Sequence, residues 1–337
     1  MLERTVKLLI VRNDKIGDFI LILPALSWIK KNLPNSKVVC LVSKEIHELA
    51  ENCQFIDEVV DDTKIKNLKN LLAGYEFDAS ISFFSTFRIG YLLKKLDIPI
   101  RIAPKTKLAQ FFYNYKLKQK RSKSLKPEYE YNIDLVNVLF EALNMDDIKD
   151  VDGAPYMTFN PETIQKRKLT FIQEYNLDVN KKIIFLHPGT GGSSKGLSIE
   201  SFSKICNGLR SFDDYNFLIH CSESEEDLAR ELKMTVDKNV RIRVIEPKPS
   251  ILNMVNNISV CDVFIAGSTG PLHIAGALNK KTIGFYPRKT SSTSLRWQSI
   301  NSFDNRMAFS DIGKDKKNIS IENKKIILEI QKFITSV

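Results

Sequence analysis

The chain has no Cys-x-x-Cys pair, no Gly-x-Gly-x-x-Gly turn and no apolar run long enough to cross a bilayer. Spanning takes roughly 18–20 apolar residues, and the best run, residues 19–29, is far too short. Arg12, Asp14, Lys15 and Asp18 break up the apolar stretch that a signal peptide would need. The five cysteines (Cys40, Cys53, Cys206, Cys221, Cys261) are odd in number and widely spaced, so reduced thiols are expected. A charged fraction of 27% with only 14 glycines and 12 prolines excludes collagen, low complexity and wholesale disorder. Lacking the dinucleotide glycine fingerprint, the chain is a poor candidate for a nicotinamide dehydrogenase. His187, His220 and His273 lack zinc spacing. A soluble cytoplasmic protein is expected.

What is present is a pattern of alternation. At about 150 residues per domain, 337 residues predict roughly two domains. Short β-branched runs predict strands at 7–12, 37–42, 58–60, 79–82 and 101–103, then at 183–186, 217–220, 241–245, 263–266 and 282–285. Helical patterns fall between them at 24–33, 65–72, 89–96, 199–211, 225–234, 251–256 and 272–278. A further helix at 130–143 precedes a polar linker, 145–160, and the last helix is expected at 322–334. Strand–helix alternation predicts an α/β fold of two Rossmann-like, doubly wound domains. Their expected extents are 1–155 and 156–320, with the helix in 321–337 packing back on the first domain. Such domains bind ligands at the carboxyl ends of their strands, so two of them facing each other predict a cleft.

Charge is unevenly spread. The net charge is +10, and from Ile98 to Pro127 there is no Asp or Glu. That stretch holds Arg101, Lys105, Lys107, Lys116, Lys118, Lys120, Arg121, Lys123 and Lys126, with Phe111, Phe112, Tyr113 and Tyr115 among them. A solvated face, an acidic glycan, an anionic membrane surface and nucleic acid are all compatible with it.

Four turns could carry chemistry. The first joins strand one to helix one, Val11-Arg-Asn-Asp-Lys-Ile-Gly17-Asp18. Asp18 there reads either as a helix N-cap or as a carboxylate acting as general base. A free Asp has a pKa of about 3.9, so a base near neutrality needs burial or late proton transfer. The second is His187-Pro-Gly-Thr190-Gly-Gly-Ser193-Ser194-Lys195-Gly196, whose small residues free backbone N–H groups to face an anion. It fails the Walker A pattern, because Ser194 stands where glycine is required and Gly196 follows the lysine. Phosphate binding without hydrolysis remains, with Lys195 as the point charge; a solvated turn is the plainer alternative.

The third turn, Gly267-Ser268-Thr269-Gly270-Pro271-Leu272-His273, runs from a buried strand into a helix with proline near N1, a second anion-ready N-terminus. His273 on the first helical turn reads as structural or as a supporting group. The fourth, His220-Cys-Ser-Glu-Ser-Glu225-Glu226-Asp227, reads as an acidic first helical turn or as a Glu accepting two ribose hydroxyls. Asp150-Val-Asp152 has the form of a metal–diphosphate motif but lies in the linker and is read as incidental.

The first three turns, in this order and with Leu23-Pro-Ala-Leu after the first, resemble the lipopolysaccharide heptosyltransferase family, glycosyltransferase family 9. The resemblance spans residues 5 to about 290. It implies a two-domain GT-B architecture, an ADP-heptose donor, an acidic lipid-anchored core-glycan acceptor, and inverting transfer with no metal or other cofactor. By position it implies Asp18 as the base. Lys195, with Thr190, Ser193 and Ser194, would meet the donor diphosphate, and Thr269 and Gly270 would hold phosphate with His273 supporting. Glu225, or less directly Glu226, would clamp the ribose, and adenine would lie near residues 245–249. Arg101, Lys105, Lys116, Lys118, Lys120 and Arg121 would receive the acidic acceptor and hold the protein at the cytoplasmic face of the inner membrane. Two positions depart from the family: Ser268 stands where Asp or Asn is usual, and Gly196-Leu197 stands where Arg-Trp often follows the lysine. Both bear on the donor sugar and leave another nucleotide sugar as the alternative. A basic nucleic-acid-binding protein without catalysis is a second alternative, but no RNA or DNA module signature is present.

Overall fold

Segments such as Leu8–Val11 and Val38–Val42 are fully buried at every position rather than at alternate ones, which suits strands covered on both faces. A computed structural model describes residues 5–63, 65–106, 108–192, 195–210, 214–313, 315 and 317–335. It divides into two units, Met1–Gly153 and Ala154–Val337.

The first unit carries β1 (Lys7–Val11), β2 (Lys37–Val42), β3 (Glu58–Asp61), β4 (Ala79–Ser82), β5 (Ile100–Pro104) and β6 (Tyr115–Leu117). They form one sheet in the order β3-β2-β1-β4-β5-β6, every pair parallel. Its helices are α1 (Ile16–Ile20), α2 (Leu23–Asn32), α3 (Lys44–Glu51), α4 (Ile65–Ala73), α5 (Phe87–Lys95) and α6 (Glu128–Ala142). The second unit repeats the plan with β7 (Lys182–His187), β8 (Gly196–Leu197), β9 (Tyr215–Ile219), β10 (Ile242–Val244), β11 (Val263–Gly267), β12 (Lys281–Tyr286), β13 (Arg306–Ser310) and β14 (Asn318–Ile319). The six longer strands order as β10-β9-β7-β11-β12-β13, again parallel, while β8 and β14 pair apart from them. Around them lie α7 (Pro161–Glu174), α8 (Ile199–Leu209), α9 (Glu226–Thr235), α10 (Ile251–Val260), α11 (Gly270–Ala277) and α12 (Asn323–Thr335).

Both sheets have the doubly wound order, and both reverse direction of growth beside their first strand. Ligands of such sheets bind at that switch point, beyond the strand carboxyl ends. Here it is flanked by the turns after β1 and β4 in the first unit, and after β7 and β11 in the second. Ala266 on β11 is in register with His187 on β7, so the second pair of turns starts side by side.

Several expectations change. The C-terminal helix was expected on the first domain, but Ile326, Ile330 and Ile334 of α12 are buried in the second unit's core, at α8. Their spacing of four puts them on one helical face, and burying each contributes roughly 1.5–3 kcal/mol. Lys182 and Lys281 donate to the carbonyls of Ile334 and Phe333 at 3.0 and 2.8 Å, capping the helix end. The second unit begins at Ala154, and the end of the helix expected at 199–211 lies outside the described residues. Helices α1, α3 and α7 and strands β6, β8, β13 and β14 were not anticipated; most are short or only half-buried and carry weak periodicity.

Candidate functional site

In the first unit the switch point is organised by one guanidinium. Arg12, the residue after β1, is almost wholly buried, and its Nη1 donates to the carbonyl of Phe83, just past β4, at 3.1 Å. Its Nε stands 2.8 Å from an Asp14 carboxylate oxygen, and its Nη2 donates to Asp18. Two half-buried carboxylates thus share one buried cation. Asp18 is the third residue of α1; the N-cap is Lys15 and no side chain caps there, so the capping role considered for Asp18 is not what it does. Among the described residues Arg12 is its one side-chain partner. Burial raises the Asp14 pKa to about 6 against the attraction of Arg12, and the neighbouring Asp18 charge adds to the rise.

In the second unit, the turn after β7 is braced by Glu225. One carboxylate oxygen accepts from the Gly191 N–H at 3.0 Å; the other accepts from the N–H and hydroxyl of Ser222 at 3.2 and 2.7 Å. The carboxylate lies so close to Gly189 that a Cβ there would fall 2.1 Å from it, and any other residue at 189 would have to push the Glu225 side chain aside. Burial opposes the charge on Glu225, but His187 beside it and these donors hold its carboxyl below the usual range. Glu226, the alternative clamp, is paired with Arg230 on the surface at 2.8 Å. Lys195 donates to Asp311, a buried carboxylate that also accepts from the N–H groups of Gly313 and Ser320 at 3.0 and 2.9 Å. Thr190 is half-buried at the tip of the turn; Ser193 and Ser194 lie outside the described residues.

Beside that turn, α11 begins at Gly270 behind its N-cap Thr269, whose side chain makes no cap bond. The Thr269 hydroxyl and His273 Nδ1 are both buried and have no hydrogen-bond partner. Burial brings the His273 pKa down to about 4, so its ring is neutral at physiological pH. Two orphaned polar atoms at a helix N-terminus are what a bound anion would satisfy. Ser268 is half-buried between β11 and that helix. Behind them His187 and His220 form a buried pair: His187 Nδ1 donates to the His220 carbonyl at 3.0 Å, and burial drives the His220 pKa to about 3.

The basic segment sorts into two groups. Arg101 donates to the carbonyls of Phe112 and Ile98, and Arg121 is paired with the buried Glu128 and Gln119, so both guanidiniums serve the fold. Lys105, Lys116, Lys118 and Lys120 are exposed. Lys116 and Lys118 lie on or beside edge strand β6, where lysine also deters strand addition. Asp152 is paired with Lys31, and among the described residues no three His, Cys, Asp or Glu side chains gather as a metal would require.

Arg12, Asp14 and Asp311 were not singled out from the sequence. Arg12 and Asp14 were visible inside the first motif but gave no hint of sharing charge with Asp18. Asp311 meets Lys195 across 116 residues with no local signal.

The family model for glycosyltransferase family 9 (heptosyltransferase) matches residues 65–324. A Haemophilus influenzae protein named as a glycosyltransferase is 37% identical over 98% of this chain and 97% of its own length. Lipooligosaccharide heptosyltransferase 2 of Campylobacter jejuni (serotype O:6) is 28% identical over 85% of this chain and 83% of that one. Among solved structures, Escherichia coli ADP-heptose lipopolysaccharide heptosyltransferase II superposes with a TM-score of 0.77 over 98% of both chains at 14% identity, a likeness of GT-B fold. No helix among the described residues is long and apolar enough to cross a membrane. A paired doubly wound architecture, an anion-ready turn pair and these matches agree: the chain belongs to glycosyltransferase family 9, the heptosyltransferases, and is a glycosyltransferase.

Proposed function

We propose that the protein transfers a heptose from ADP-heptose to an acidic inner-core lipopolysaccharide or lipooligosaccharide acceptor, with inversion and without a metal. The observation that carries this reading is the α11 N-terminus, where the Thr269 hydroxyl and His273 Nδ1 are buried and unpartnered beside the glycine turn. As the glycosidic bond breaks, charge grows on the diphosphate oxygens. Preoriented amides at Gly270, the Thr269 hydroxyl, the turn at Thr190 and the Lys195 ammonium stabilise that charge, a term that is usually large. Neutral His273 contributes a hydrogen bond rather than a counter-charge. Glu225 borders the ribose, adenine occupies the region of residues 245–249, and Ser268 looks toward the donor sugar. On the first unit Asp18 takes the proton of the acceptor hydroxyl, held by Arg12. Lys105, Lys116, Lys118 and Lys120 attract the acidic glycan, and the same charge keeps the enzyme at the cytoplasmic face of the inner membrane.

The test is the mass of the lipid-linked core glycan from cells with and without this protein, together with ADP release in vitro from ADP-heptose. Loss of one heptose and release of ADP are expected; a glycan of unchanged mass overturns the reading. A second reading, another nucleotide sugar, rests on Ser268 and Gly196-Leu197. Release of nucleotide from that sugar but not from ADP-heptose would put it first.

A further inference from the structure

The net charge of this protein resides in one stretch of the first unit. Residues 84–127 hold twelve Lys or Arg and a single acid, Asp97, a surplus of eleven against +10 for the whole chain. The same stretch exposes apolar side chains that nothing in the unit covers. Phe87 and Tyr91 on α5 are 61% and 50% exposed, and Leu108 and Phe111 on the adjoining 3-10 turn (Leu108–Phe112) are 70% and 73% exposed. Monomeric surfaces rarely gather several large apolar side chains in one place without a partner.

These residues form one built face. Phe87 and Tyr91 are four apart on a helix, and Leu108 and Phe111 three apart on a 3-10 turn, so each pair points one way. Phe112 joins the two elements, its ring 4.8 Å from that of Phe87 and 6.0 Å from that of Tyr91, both edge-on. Gly90 permits the contact, since a Cβ there would fall 2.8 Å from the Phe112 ring. Tyr113 anchors the turn from behind, donating from a buried hydroxyl to Ser82 at 3.0 Å. An open cavity of about 360 Å³ beside the rings is lined by Tyr91, Lys94, Lys95, Asp97 and Phe112. Lys95 sits over Tyr91, 5.6 Å from its centroid.

We propose that the face built by Phe87, Tyr91, Leu108 and Phe111, rimmed by Lys94 and Lys95, docks on an anionic phospholipid bilayer, the apolar side chains entering the interface and the lysines meeting lipid phosphate. Charge complementarity selects this occupant: each basic side chain near an anionic surface adds to its attraction, and aromatic rings favour the headgroup level. Apolar insertion adds what charge alone lacks, because long-range attraction is screened by salt whereas buried apolar area is not. The inference deepens the proposed function by naming the surface that meets the membrane, and it rests on that reading only for the location of the acceptor.

The experiment is flotation of the full chain with phosphatidylcholine vesicles containing 30% phosphatidylglycerol, without nucleotide or glycolipid. Binding is expected there and not on pure phosphatidylcholine. The double substitution Leu108→Ser/Phe111→Ser should cut partitioning at least tenfold, and Lys94→Glu/Lys95→Glu should weaken it and reduce its salt dependence. All four side chains are exposed or at the rim, so unchanged melting curves are expected. Wild-type protein that ignores anionic vesicles overturns the proposal, as does a serine variant that binds undiminished. Binding that appears only when acceptor glycolipid is added assigns the face to substrate instead. A dimer that the serine variant dissolves assigns it to a second copy. ADP release with a water-soluble, deacylated acceptor is measured in parallel. If that reaction fails while vesicle binding responds as described, the proposed transfer is wrong and the docking face stands.

Discussion

Lys195 and Asp311 hold each other on the second unit: the ammonium donates to a carboxylate that two backbone N–H groups also clasp. Burial opposes the charge on Asp311, but Lys195 and the N–H groups of Ser320 and Gly313 keep its carboxyl below the ordinary range. The pair therefore presents a lysine head already ordered, and a lysine ordered beforehand loses less freedom when it meets a phosphate.

Lys195→Ala is expected to weaken ADP binding at least tenfold, about 1.4 kcal/mol, in calorimetry. It should also lower stability to urea, because Asp311 is left buried without its cation. Asp311→Asn should disturb stability similarly but reduce affinity less, since the ammonium survives. An unaltered dissociation constant for Lys195→Ala would remove the lysine from the donor site.

The carboxylates around Arg12 make a prediction with a definite sign. Asp14 holds its proton to about pH 6 in the folded chain, against about 3.9 when unfolded. Between those values the native state binds more protons than the unfolded one, so stability falls as pH rises from about 4 to about 6. Asp14→Asn should erase that decline, making the variant more stable than wild type at pH 7 by up to about 3 kcal/mol and no more stable at pH 4. Above about pH 6 this second carboxylate charge also draws on the Arg12 guanidinium that holds Asp18. Any step in turnover near pH 6 should accordingly disappear in Asp14→Asn, while Asp18→Asn should lose at least a hundredfold at every pH with ADP affinity retained. Denaturation curves and a pH–rate profile measure both. A variant profile identical to wild type would separate Asp14 from the chemistry.

Thr269 separates a binding role from a structural one. Its hydroxyl is buried without a partner, so Thr269→Val removes an unsatisfied group and should leave stability unchanged or slightly raised. If the hydroxyl meets phosphate, ADP affinity should fall by about five- to thirtyfold, roughly 1–2 kcal/mol. Loss of stability with unchanged affinity would show that the hydroxyl serves the fold.

How much of this was readable beforehand follows from where the signals lie. Strands such as β1, β2, β7 and β11 announce themselves because each carries an unbroken run of four or more apolar residues, and burial on both faces demands it. The edge strands β6 and β13 do not, since they are only partly covered and their residues, Tyr-Lys-Leu and Arg-Met-Ala-Phe-Ser, mix polarity. Glycine turns were legible because small residues after a strand have few other uses. Partnerships were not: Arg12 with Phe83 and Lys195 with Asp311 join residues 71 and 116 apart, and only the folded chain brings them together. The helix α12 was legible, but its partner surface was not, because isoleucines at a spacing of four fit any core.

Glu225 tests whether a residue can brace a turn and border a ligand at once. Both of its oxygens face donors: Gly191 N–H on one, the N–H and hydroxyl of Ser222 on the other. In Glu225→Gln, whichever way the amide is turned, an NH₂ group must face an N–H donor and one hydrogen bond becomes a repulsion. The loss should be about 1–3 kcal/mol of stability, since buried groups left unsatisfied cost that much. It should be accompanied by faster exchange of the Gly191 amide. A ribose clamp alone predicts something different, weaker ADP binding with stability and exchange untouched. If Glu225→Gln loses stability and ADP affinity together while 5′-diphosphate compounds lacking the ribose hydroxyls bind it as they bind wild type, the carboxylate does both. If those compounds weaken equally, its contribution to binding passes entirely through the shape of the glycine turn.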